Sequence, residues 1–451
     1  MYQTLFLIPR SIAGVETFGF GWLLAIWAIA AVAILAWFVR RYGWSAQTRG
    51  QVPVLLVVGF AIAFLLPRLV DAEAGGLPIR GYGVMLLISV VAGIMISIRR
   101  ARQVGLDPEI ILSLATWFFA SGIVGARLFY VVEYWPKFDK ATLGETLLTI
   151  INLTQGGLVV YGSLLAGGAA LVVFVYKNRL PGLAFADLIA PGVVLGVGLG
   201  RIGCFLNGCC FGGVCDLPWA VQFPEGSPAY ADQAQRGELY VHGLIFQGAS
   251  RDPAVIGRVE PNSPAAEHGL RAGQQVVAIN GLRVRTVDEA QWELLRIFGG
   301  GTSIEIQVAG DTPAQSWTLA GPRPRSLPVH PAQVYSLVDA LLLCLFLLAY
   351  EPYKRRDGEL TALVLTIHPV SRFLLEIIRT DEGAVFNTGM SISQNISIAI
   401  FAGGICLWIY LLLVRRAGGL AWPGRLAAEH LAANRAGDFS QTPASQRSRT
   451  I

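Results

Sequence analysis

The chain has 451 residues, of which 54% are hydrophobic and only 14% charged, with a mean hydropathy of +0.54. That balance excludes a soluble globular protein of this length and specifies a polytopic membrane protein. The net charge of +5 is modest, and the basic residues collect beside apolar segments. It therefore speaks of membrane orientation and gives no reason to expect a nucleic-acid partner.

Nine segments approach the ~20 apolar residues needed to cross a bilayer core. They run over 18–39, 52–66, 81–98, 110–132, 158–176, 185–205, 334–350, 360–378 and 396–414. The first is longer than a signal-peptide core and its arginines follow it, so it is expected to remain as a spanning helix. The second is the weakest, being short and bounded by Pro53 and Pro67. Arg40-Arg41, Arg99-Arg100, Lys177, Lys354-Arg355-Arg356 and Arg415-Arg416 follow alternate segments. The positive-inside rule then puts the N-terminus outside and the C-terminus inside, with everything after the sixth segment facing outward.

The loop over 218–328 changes composition and contains no spanning segment. Apolar alternation predicts strands over 240–246, 254–259, 276–279 and 303–308. Between them fall a short helix capped by Ser263 and stopped by Gly269, a tight turn at Asn280-Gly281, and a helix over 287–298. The run VEPNSPAAEHGLRAGQQVVAINGLRV, residues 259–284, resembles a PDZ domain. The resemblance implies a module over about 238–320 whose loop, Gly243, Leu244, Ile245 and Phe246, binds the C-terminal peptide of a substrate or partner. Isoleucine in the third place departs mildly from that family's loop, and a PDZ-like spacer without a ligand is the plainer alternative. The polar tail from 417 reads as a disordered cytoplasmic end.

Residues 200–213, GRIGCFLNGCCFGG, form the most informative stretch. Arg201 ends an apolar run long enough to span, and a charge at membrane depth costs several kcal/mol unless it meets protein, water or an anion. Closely spaced glycines and Asn207 let backbone and ligand approach one another. The bland alternative is an interfacial arginine that snorkels. Arg127 lies near the external end of the fourth segment and Tyr161 at the start of the fifth. His368, Arg372, Glu376 and Arg379 recur at helical spacing, which puts them on one face, with Glu376 a turn from both arginines. Converging guanidiniums suit a phosphate, whereas Glu376–Arg379 taken alone is as readily a structural ion pair. Cys204, Cys209, Cys210 and Cys215 lack the short knuckle of a zinc site, so no metal is expected; disulfides or packed thiols are the remaining readings.

Residues 81–84, 125–127, 156–168, 186–213, 330–335 and 372–381 resemble, in order, the motifs of prolipoprotein diacylglyceryl transferases. The resemblance implies a core of seven helices over 80–217 and 329–416, with two extra helices in 1–79 and the PDZ-like module inserted in 218–328. The expected fold is therefore an α-helical polytopic membrane protein with an inserted α+β module on the periplasmic side of a bacterial inner membrane. Its implied partners are phosphatidylglycerol and the lipobox cysteine of a prolipoprotein, with no cofactor. By position, Arg201 and Arg372 would stabilise the phosphate, while Tyr82, Arg127, Asn207, Gly212, Glu376 and Arg379 would contact the lipid. Four positions depart from the family pattern: Tyr161 stands for a histidine, His368 for a tyrosine, Cys204 for an asparagine and Ser163 for a glycine. The first two suggest an exchange, with His368 as the catalytic base and Tyr161 as its hydrogen-bonding partner. The alternative is a paralogue acting as a lipid-binding scaffold.

Overall fold

The computed structural model describes residues 4–44, 46–70, 75–138, 142–151, 159–297, 302–310, 313–319, 324–380, 384–385, 388–414 and 420–422. Its helices, in chain order, are α1 Trp22–Tyr42, α2 Ala46–Phe60, α3 Gly81–Gln103, α4 Pro108–Glu133, α5 Leu143–Ile151, α6 Val160–Lys177 and α7 Gly182–Asn207. The polar stretch that follows holds α8 Pro228–Gln235, α9 Pro264–Glu267 and α10 Val287–Arg296. The chain then ends in α11 Ala332–Tyr350, α12 Glu359–Ile378 and α13 Ile392–Leu413. Among the described residues, seven of these (α1, α3, α4, α7, α11, α12 and α13) are long and apolar enough to cross a membrane. The remaining two expected segments are shorter apolar helices, Leu55–Arg68 and Gly162–Lys177. The protein is a mostly helical, multi-span membrane protein.

The chain divides into two compact units, one of 86–205, 210–221 and 328–451 and the other of 1–85, 206–209 and 222–327. In the first unit, α7 is the organising helix. Phe185 and Leu188 at its start join a core with Ala101, Ile111, Leu114 and Phe174. Val194, further along, joins a second core with Ala340, Leu343, Leu347 and Leu360. Helices α4 and α6 meet backbone to backbone, since a Cβ on Gly162 would lie 2.2 Å from the Gly125 carbonyl oxygen. Small residues permit that approach in a membrane, where dispersion and close packing drive helix pairing. Ser163, the departure from glycine, fits here because its hydroxyl donates to the Gly122 carbonyl at 2.9 Å.

The start of α12 has no side-chain cap of its own, as Gly358 precedes it at φ 103°. Asp187 of α7 supplies one across the helix boundary. Its carboxylate accepts from the Gly358 and Thr361 amides at 2.8 Å each and from the Thr361 hydroxyl at 2.8 Å. Lys354 stands 3.5 Å away, and Asp187 is fully buried. Orphan amides at a helix start must find an acceptor, and in a low-dielectric interior a carboxylate is a strong one.

In the second unit, β1 Thr4–Pro9 pairs antiparallel with β2 Gly76–Arg80. The polar stretch over 222–327 carries β3 Leu244–Gln247 paired with β4 Val255–Val259. Its four-stranded sheet joins β5 Val276–Ile279, β6 Leu282–Arg283, β7 Ser303–Val308 and β8 Gln315–Thr318 in the order β8-β7-β5-β6. In β7 the burial alternates, so Ile304, Ile306 and Val308 reach a core with Leu244, Ile256, Ile279, Leu294 and Trp317. Ser263 caps α9, accepting from the Ala266 amide, and Asn280-Gly281 turns at φ 47° and 77°. The strand expected over 240–246 is shorter than its apolar pattern suggests. His242 and Gly243 adopt φ 51° and 85°, closing a two-residue turn that starts β3 only at Leu244.

Candidate active site

The geometry around Arg201 is built from α7, α11, α12 and the start of α13. On α12, Arg372 Nη1 pairs with Glu376 Oε2, and Arg379 Nη1 reaches the same oxygen at 3.2 Å. The Glu376 side chain is 2% exposed, so one buried carboxylate holds two guanidiniums on one helical face. Arg372 Nη2 also donates to the Ser393 hydroxyl at 3.0 Å. Ser393 is fixed by the capping box of α13, in which Ser391 and Gln394 exchange hydrogen bonds of 3.2 and 3.0 Å.

His368 lies one turn before Arg372, half-buried. Its Nδ1 stands 4.0 Å from Asp339 Oδ2 on α11. The Ser371 hydroxyl, 2.8 Å from that oxygen and 3.0 Å from the His368 carbonyl, ties Asp339 to the same turn. The guanidiniums of Arg201 and Arg372 both act on the His368 ring. Arg201 itself is half-buried on α7 and, among the described residues, makes no hydrogen bond or ion pair. It differs in this from Arg127, Arg372 and Arg379, whose charges are engaged.

Gly212 and Gly213 run extended between two neighbours. The Gly212 amide donates to the His330 carbonyl at 2.9 Å, the His330 amide to Gly213 at 3.0 Å, and the Gly213 amide to Ile378 at 2.8 Å. A Cβ on Gly212 would sit 2.6 Å from the His330 Cβ. The glycine is thus required where the return from α7 is threaded between the start of α11 and the end of α12. Tyr335 receives a hydrogen bond from Trp219 Nε1 at 2.8 Å on the same side.

Arg127 is 8% exposed and is occupied by α5. Its Nε donates to the Ile150 carbonyl at 2.7 Å and its Nη2 to Thr149 at 2.8 Å. Phe138 and Tyr130 stack under the guanidinium, with their ring centroids 5.2 and 5.6 Å away. Tyr161 falls in the first turn of α6, but its side chain lies outside the described residues, as does most of the tail from 417. All six cysteines are free thiols, so no disulfide ties 204–215.

Tyr82 and Asn207 belong to the other unit. There Gly81 packs on Leu206, which sets the start of α3, with Tyr82 41% exposed, beside the end of α7. In the same unit, the Leu244 amide of the Gly243–Phe246 stretch donates to Val241 at 3.0 Å, within the turn. His242 Nε2 contacts the Leu294 and Ile297 carbonyls at 3.1 and 3.0 Å, so that nitrogen carries the hydrogen. Burial holds the His242 imidazole below its ordinary pKa.

Sequence reasoning missed Asp339, Ser371 and Ser393. For Asp339 a signal existed, as a lone carboxylate inside the apolar run VYSLVDALLLCLF is costly unless it has a purpose. The two serines carry no such signal.

A multi-span protein with guanidiniums, a buried carboxylate and an imidazole gathered on membrane helices is an enzyme architecture suited to an anionic lipid. The chain belongs to the prolipoprotein diacylglyceryl transferase family, whose description it matches over residues 67–410. It is 33% identical to the phosphatidylglycerol–prolipoprotein diacylglyceryl transferase of Rhodopirellula baltica, over 90% of this chain and 88% of that protein. The proteins of the same name from Thermosynechococcus vestitus and Mycobacteroides abscessus are 37% and 25% identical. They cover 34% and 75% of this chain, and 55% and 75% of their own lengths.

Proposed function

We propose that this chain transfers the diacylglyceryl group of phosphatidylglycerol to the lipobox cysteine thiol of a prolipoprotein, at a bacterial inner membrane. The observation that carries the reading is Arg201, half-buried on a spanning helix without a partner among the described residues, beside Arg372 and His368. A cation there is stabilised by an anion, and the phosphodiester of the donor lipid supplies one. Arg201 binds the phosphate and stabilises the charge that grows on it as the leaving group departs, with Arg372 held in place by Glu376 and Ser393.

The nucleophile is the acceptor's own thiol. His368 takes its proton, the thiolate sulfur bonds to the glyceryl carbon, and the carbon–oxygen bond to phosphate breaks with its electron pair leaving on oxygen. The proton then passes from the imidazolium to the departing glycerol phosphate, which returns His368 to its neutral form. Tyr161 is read as the hydrogen-bonding partner of His368, Tyr82 and Asn207 as headgroup contacts, and Gly212 as the close-approach glycine. Arg127, whose nitrogens hold the end of α5, is read as anchoring that helix at the rim.

The inserted stretch over about 238–320 is read as a periplasmic PDZ-like module that takes a polypeptide C-terminus along β3. Pairing of β3 with β4 alone among the named strands supports this. Since the Leu244 amide is engaged in the turn, the carboxylate falls to the other amides of the loop.

The test is transfer by the purified protein in vesicles of phosphatidylglycerol labelled in its diacylglyceryl part, with a lipobox peptide as acceptor. A thioether product and equimolar glycerol phosphate are expected, and a peptide with serine for cysteine should give neither. Folded protein that yields no product from any lipobox peptide would reject the reading.

A further inference from the structure

We propose that Asp339 is the positioning carboxylate of His368, forming with it an acid–imidazole pair that bridges α11 and α12. The proposal rests on the reading of His368 as the thiol base. Asp339 sits within a helix apolar enough to span, where an ionisable side chain is expensive and calls for a partner. Two contacts define its surroundings: His368 Nδ1 at 4.0 Å and the Ser371 hydroxyl at 2.8 Å, both to Oδ2. Ser371 also reaches the His368 carbonyl at 3.0 Å, so the carboxylate is fastened to the turn that carries the imidazole. The separation to Nδ1 exceeds a hydrogen bond, and catalytic hydrogen bonds of this kind commonly close only as substrates load.

The charges facing His368 explain what the carboxylate does. Arg201 comes from α7, Arg372 from its own helix and Asp339 from α11. Two of the three are cations, so an imidazolium formed on proton uptake meets repulsion from both guanidiniums. Asp339 is the group that offsets it. With Nδ1–H turned toward Asp339, the Nε2 lone pair is the one presented to the thiol. In the step, the S–H bond breaks and an Nε2–H bond forms, and the proton later leaves with the phosphate, so Asp339 itself exchanges none. The departures of the sequence agree: a carboxylate at 339 serves a histidine at 368, whereas it would oppose ionisation of a tyrosine there.

The experiment measures kcat and KM for transfer in vesicles with Asp339→Asn, Asp339→Glu, His368→Ala and the double variant His368→Ala/Asp339→Asn. Asp339→Asn is expected to lower kcat about 10- to 100-fold, with both KM values within about twofold, and Asp339→Glu to recover most of the rate. In the His368→Ala background, Asp339→Asn should change nothing further. An unchanged rate in Asp339→Asn overturns the proposal, as does an equal loss in both backgrounds. A full rate in His368→Ala overturns the base assignment and the pair with it, while Arg201-dependent transfer would persist. Should Asp339→Asn fail to fold, imidazole 15N shifts of the wild-type protein decide: an Nδ1–H tautomer at His368 is expected, and an Nε2–H tautomer contradicts the pair.

Discussion

Glu376 pairs with Arg372, whereas Arg201 makes no ion pair among the described residues, although both arginines act on the same His368 ring. In the proposed reading the two cations have different work: Arg372 belongs to a fixed frame, and Arg201 is the charge offered to the lipid phosphate. Removing one partner of a buried pair strands the other, at a cost of about 3–5 kcal/mol. Glu376→Gln is expected to lower the melting temperature in detergent and to cut transfer at least tenfold, through displacement of Arg372. A variant with unchanged stability and rate would show that the pair is incidental.

Gly212→Ala is expected to act through backbone position. Its new methyl would meet the His330 Cβ at 2.6 Å and the Ile378 Cγ2 at 3.2 Å, and neither neighbour lies at the end of a flexible chain. Overpacking of this sort costs about 1–3 kcal/mol. The loss should appear both in thermal unfolding and as a lower kcat, since the segment it distorts joins the start of α11 to the end of α12.

The Asp187 cap predicts a stability effect far from the reacting groups. Asp187 and Arg201 lie about 21 Å apart along α7 at 1.5 Å per residue. Asp187→Ala removes the acceptor for two amides and a hydroxyl and leaves Lys354 without that carboxylate. The loss is expected to reach at least about 2 kcal/mol, read as a lower unfolding midpoint. Lipid binding by protein that remains folded should be unchanged.

A pH effect is expected in the polar stretch over 222–327. His242 is held neutral because burial lowers its pKa, while in the unfolded chain it titrates near ~6.5. As pH falls below that value the unfolded state gains a proton first, so stability present at pH above the unfolded pKa is lost toward the lower folded one. Hydrogen exchange of the amides in Leu244–Gln247 and Val287–Arg296 should therefore quicken, relative to intrinsic rates, between about pH 7 and 5. In His242→Gln that dependence should flatten.

Much of this was legible in local pattern. Among the described residues, seven of the nine apolar runs coincide with helices long enough to span and two with shorter apolar helices, and the β5, β7, Ser263 and Asn280-Gly281 features followed from alternation and turn chemistry. The helix predicted over 287–298 ends earlier, at Arg296, because its last expected turn opens at Ile297 with ψ 105°. What local pattern could not supply were pairings between distant segments. Nothing in 4–9 announces β2 as its partner, and Asp187 caps a helix that begins well over a hundred residues later. Arg127 shows the same limit: nothing local announced that Thr149 and Ile150 would accept its hydrogen bonds. The helical spacing of Arg372, Glu376 and Arg379 was readable, whereas Ser393 and Asp339 joined the group only through tertiary packing.

The measurement that bears most directly on the central claim compares wild type, Arg201→Lys and Arg201→Ala in the vesicle transfer assay, with folding checked by thermal unfolding. A lysine keeps the charge and loses the planar fork, and an alanine loses both. Loss of one transition-state donor costs about 100- to 1,000-fold, so Arg201→Ala should fall at least that far. Arg201→Lys should recover only part of the rate, with both variants folded. Transfer by Arg201→Ala at the wild-type rate would contradict the assignment of Arg201 as the phosphate-binding charge.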